Sequence, residues 1–173
     1  MPELWTLGAT SPRSDTMIDP ESARQEVERR LPARVRWLIR GVPLDFDFSR
    51  SHAPLRPIAP TDLSGCGIED EWTALYLFGE EDYADGGGAS PYVGVHRDTG
   101  KICGLDVERE ESQVFILNSN VDRFIRTFQK IDEMLCHTPV ASGMLSRALM
   151  EIDPDAFRHS EWRDFSSYVE AGT

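Results

Sequence analysis

Tyr92-Val-Gly-Val-His-Arg-Asp-Thr-Gly-Lys-Ile-Cys-Gly-Leu-Asp106, followed after a short acidic run by Val114-Phe-Ile-Leu-Asn-Ser-Asn-Val-Asp-Arg-Phe124, is the stretch on which the fold turns. Residues 92–96 and 101–107 are expected to be strands, because β-branched and apolar residues dominate both. Between them Arg97-Asp98-Thr99-Gly100 has turn chemistry at Asp98 and Gly100. Residues 108–112 form a second, acidic turn, and 113–117 the next strand. Strands that follow one another through short turns pair antiparallel, since a parallel pair needs a long crossover. The period then changes. Val121, Phe124, Ile125, Phe128, Ile131 and Leu135 recur at helical spacing, so a helix leaves the sheet here, with Ser119 and Asp122 as a capping-box-like start.

Downstream, residues 139–150 and 153–169 are expected to be helical. Trp162, Phe165 and Val169 lie on one face of the second, and Gly172 follows its end. Upstream, residues 72–78 are an aromatic-rich apolar run that predicts a buried central strand ending at Gly79. Residues 80–91 then read as an acidic, glycine-rich loop. Residues 49–62, with Pro54, Pro57 and Pro60, read as a loop or edge segment, and residues 44–48 alternate apolar and acidic side chains as a short half-exposed strand. Asp19-Pro20-Glu21 is a helix start. Val27, Leu31, Val35 and Leu38 continue at helical spacing, with Pro32 kinking or dividing the element before Gly41-Val42-Pro43 ends it. The expectation is an α+β fold: an antiparallel sheet packed with N-terminal and C-terminal helices, one domain over residues 19–173, preceded by a flexible segment over residues 1–18. Trp72, Phe124, Phe128 and Trp162 are expected in its core.

Charge narrows the function. The 173 residues carry a formal net charge of −12, and it is unevenly placed. Residues 62–111 hold thirteen Asp or Glu against three Lys or Arg, whereas residues 1–40 hold six against seven. Such a surface repels nucleic acid and anionic lipid, and it attracts basic partners and speeds encounter with them. Neither nucleic acid nor a membrane is expected as a partner. No basic start leads into an apolar stretch of the kind a secretory signal needs, and no stretch reaches the ~20 apolar residues of a membrane span. Cys66, Cys103 and Cys136 are odd in number, far apart and in no Cys-x-x-Cys pair, so buried reduced thiols in a cytoplasmic protein are expected.

Matches to catalytic and metal-binding patterns fail on their chemistry. Asp98-Thr99-Gly100 has the aspartic-protease tripeptide, but that chemistry needs two carboxylates sharing a proton and only one copy exists. His96-Arg97-Asp98 copies the kinase triplet, yet Cys103 stands where its Asn belongs. Gly86-Gly87-Gly88 feeds a strand, not a helix N-terminus, beside carboxylates that repel phosphate. Glu80, Glu81, Asp82 and Asp85 lack the alternating ligands and terminal Glu of a calcium loop. Cys136 and His137 are adjacent, so on a helix they point about 100° apart. His52, His96, His137 and His159 show no ligand spacing. No catalytic residue, cofactor or metal is expected.

The 92–124 stretch, from strand through turn, strand, acidic turn and an Asn-Ser junction to a long helix, resembles the fourth subgroup of SUKH immunity proteins. Residues 72–79 resemble that family's preceding strand, and residues 153–172, with Trp162, its C-terminal helix. Asn120 stands where the pattern has Ser, and the loop over residues 80–90 is longer than the pattern's. The resemblance implies a SUKH-like α+β fold and a protein that neutralises a bacterial polymorphic toxin, a nuclease or nucleic-acid deaminase, by binding it without a cofactor. A regulatory or scaffold module on the same fold is the alternative. The toxin is expected to meet Glu80, Glu81, Asp82 and Asp85 first, then Glu108, Glu110 and Glu111, then Glu69, Asp70 and Glu71, with Tyr83 and Tyr92 as aromatic anchors. Asn118 and Ser119 are expected to cap the helix.

Overall fold

The structure is a computed structural model, and it describes residues 19–39, 41–48, 75–83, 92–106, 113–136 and 140–171. Helix α1 (Pro20–Arg30) starts as the sequence dictates. The Asp19 carboxylate accepts from the N–H groups of Glu21 and Ser22, and Pro20 occupies the first helical position, where its missing N–H costs nothing. The helix buries Ala23 and Val27 and stops at Leu31, because the residue before Pro32 is pushed out of the helical region.

Beyond Pro32 the chain departs from the helical expectation. Residues 34–39 form a strand, β1 (Arg34–Ile39), not a second helical segment. Val35 is buried at a strand position, and Leu38, expected on an apolar helical stripe, is 70% exposed. Gly41, at φ +81°, makes the tight connection to β2 (Val42–Asp47), a backbone geometry that L side chains resist. β3 (Leu75–Tyr83) pairs with β2, and β4 (Tyr92–His96), β5 (Ile102–Asp106) and β6 (Gln113–Asn118) come next in the chain. Among the described residues the sheet has the order β1-β2-β3-β4-β5-β6, antiparallel throughout. The meander is therefore as expected. Its β4–β5 turn closes with Gly100, at φ +69°, donating its N–H to the His96 carbonyl over 2.7 Å.

Helix α2 (Val121–Leu135) leaves β6 and lies on one face of the sheet. The helix expected from residue 139 begins instead at Met144, as α3 (Met144–Ile152), after Gly143 at φ +78°. The last expected helix is two: α4 (Pro154–Phe157) and α5 (Glu161–Glu170). Together these elements form a small α+β single-domain fold.

The core lies between that face and the helices. Val35, Trp37 and Ile39 of β1, Phe46 of β2, Val93 and Val95 of β4 and Ile102 of β5 meet Phe124, Phe128 and Ile131 of α2, Leu145 and Leu149 of α3, and Trp162 of α5. Phe128 is the hub. Its ring centroid lies 4.7 Å from Phe124, 4.8 Å from Phe46, 5.0 Å from Trp37 and 5.6 Å from Trp162. Each such pair adds about 0.5–1.5 kcal/mol beyond the area it buries. Phe124, Phe128 and Trp162 thus occupy the core as expected, while Trp72 lies outside the described residues.

Candidate interaction surface

The acidic residues expected to bind a partner are distributed differently from a loop. β3 runs through Gly79, with a register irregularity between Leu77 and Gly79 against β4, and continues to Tyr83. Glu80, Glu81, Asp82 and Tyr83 are strand residues, which corrects the loop expected over residues 80–91. The sequence missed this because a strand pairs its backbone whatever its charge, provided a neighbour is in register. Here the neighbour is β2: Asp47 pairs with Glu80, Phe46 with Glu81, Asp45 with Asp82 and Leu44 with Tyr83. Directly opposed residues share a face of a sheet, and successive residues alternate. The register positions of Glu80 and Asp82 therefore fall on the face of Asp47 and Asp45, and that of Glu81 on the face of buried Phe46. A loop would have offered all three acids together; the strand divides them. Tyr92 opens β4 in register with Glu80, so those two candidates are neighbours. Asp85, Glu108, Glu110 and Glu111 lie outside the described residues, as do Glu69, Asp70 and Glu71.

Four charged residues of this face were not singled out from the sequence. Arg34 on β1 pairs with Asp47 over 3.3 Å, and Arg36 grips Asp45 with two guanidinium nitrogens, Nη2 to Oδ2 at 2.8 Å. The Arg36 hydrogen bond holds the Asp45 carboxyl below the usual carboxylate range. The result is two ion pairs running from β1 to β2, with the register positions of Glu80 and Asp82 next to them on β3. The signal was present as Arg-x-Arg before Gly41 and Asp-x-Asp after it, a period-2 pattern on both sides of a turn residue. Helical spacing of Val27, Leu31, Val35 and Leu38 masked it.

A buried polar cluster lies elsewhere, at the junction of β6, α2 and α4. Asp153, 1% exposed, accepts from the Ser119 N–H (2.7 Å) and the Asn118 amide (3.3 Å) on Oδ2. Its Oδ1 accepts from the Ser119 hydroxyl (2.7 Å), the Arg123 guanidinium (3.0 Å) and the Ala156 N–H (3.3 Å). Burial works to raise this carboxyl, but the hydrogen bonds from Ser119, Ala156 and Asn118 outweigh it and hold it below its ordinary value. Asn118 also bonds Thr127 at 3.1 Å and accepts from the Trp162 indole N–H at 3.0 Å. Helix α2 is capped by Asn120, whose side chain accepts from the Arg123 N–H, not by the expected Ser119. Asn118 and Ser119 are thus clamp residues, where capping was expected. The sequence could not separate the two roles because Asp153 lies 34 residues beyond Ser119. The cluster's acceptor is buried and saturated with donors, which suits holding helices in place and leaves no lone pair to take a substrate proton.

Among the described residues no group of three or more His, Cys, Asp or Glu is placed to hold a metal ion, and no helix is long and apolar enough to cross a membrane. Cys103 is buried and its thiol is pushed up to about 11 by desolvation. Cys136 is exposed at the end of α2, against the expectation that all three thiols are buried, and Cys66 lies outside the described residues. Compared with protein-family models, with curated proteins and with solved structures, the chain has no match.

Proposed function

We propose that this chain is a cytoplasmic immunity protein of SUKH type, which binds and neutralises a bacterial polymorphic toxin of the nuclease or nucleic-acid deaminase class without catalysis of its own. One observation carries the reading: residues 62–111 hold thirteen acids against three bases, and two of those acids, Glu80 and Asp82, take register positions on β3. A nucleic-acid-processing toxin needs a basic cleft for phosphate, and an ordered acidic surface can occupy that cleft in the phosphate's place. Arg34 and Arg36 already neutralise Asp47 and Asp45, so the acids left for a partner are those of residues 62–111. The motif that carries the family resemblance adds support of another kind, since Asn118, Ser119, Asn120 and Phe124 are all framework residues. They hold a shape on which different binding surfaces can be mounted.

The test is co-expression with the toxin encoded beside its gene, and titration of the purified pair. The chain is expected to restore growth and to bind with an affinity that falls as salt rises. Neutralising Glu80→Gln and Asp82→Asn together should weaken binding about tenfold or more, for the loss of ~1.4 kcal/mol or more. Equal affinity for wild type and variant removes β3 from the interface. Binding without protection from any toxin points instead to a regulatory or scaffold module.

A further inference from the structure

We draw no further inference here: the strongest candidate, the outer edge of strand β1 where Leu38 stands exposed beside Arg36, carries nothing because Arg34 and Arg36 are already paired with Asp47 and Asp45 and nothing in the structure shows what covers it.

Discussion

Replacing Asp153 by alanine should be among the most damaging polar substitutions in this protein. The carboxylate accepts five hydrogen bonds and is 1% exposed. Its loss leaves the N–H groups of Ser119 and Ala156 unpartnered, and each buried orphan donor costs about 1–3 kcal/mol. The Ala156 N–H is the donor that Asp153 caps at the start of α4, so the lost cap is already counted there. Arg123 is half-exposed, so its guanidinium finds water and adds little. The two donors together come to about 2–6 kcal/mol, a range that brackets the roughly 3–5 kcal/mol that removing one partner of a buried ionic pair usually costs. Asp153→Asn keeps the shape but turns a donor toward donors, and should cost about 2 kcal/mol. Urea denaturation followed by fluorescence measures both, read from the midpoint at constant slope. The pH dependence supplies an independent check. Because the folded carboxyl lies below its ordinary 3.8, its stabilisation is fully present above that value and is lost as pH falls through the lower folded-state value. The gap between wild type and Asp153→Asn should therefore be constant from neutrality to about pH 5 and narrow only below about pH 4. A loss under about 0.5 kcal/mol for Asp153→Ala, or a gap that widens on acidification, would refute the clamp.

Phe124→Ala empties a fully buried site and should cost about 3–5 kcal/mol in the same assay, whereas Leu38→Ala, at an exposed strand position, should change stability by less than about 0.5 kcal/mol. A Cβ at Gly104 would collide with the Phe115 ring, so Gly104→Ala should destabilise by about 1–3 kcal/mol as that ring is displaced; an unchanged midpoint would mean β5 and β6 approach less closely than described. Alkylation at pH 8 followed by peptide mapping should label Cys136 within minutes and spare Cys103 until the protein is unfolded, because Cys103 is both buried and held as the thiol.

The clamp and the charged face depend on distant segments, whereas several other features are encoded within a few residues of chain. Asp19-Pro20-Glu21 encoded its own helix start, and the Phe124, Phe128 and Ile131 stripe encoded its own buried face, because both signals sit within one or two turns of chain. The β4–β5 hairpin was legible for the same reason: Asp98 and Gly100 suit a turn wherever the strands go. Residues 34–39 were not legible, since Val35 and Leu38 fit helical spacing as well as Val35, Trp37 and Ile39 fit a strand, and only pairing with β2 decides between them.

From sequence alone came the α+β class, the antiparallel order, the helical core stripe and the concentration of negative charge, all of which depend on local periodicity or on composition. The tertiary structure alone decided that Glu80 and Asp82 register with Asp47 and Asp45 while Glu81 registers with Phe46, and that Asn118 and Ser119 serve Asp153. Those outcomes rest on register and on contacts between distant segments. A one-residue slip of β3 would exchange its two faces without altering a single local propensity, and it would take Tyr76 of β3 away from the core cluster against which it packs beside Val95.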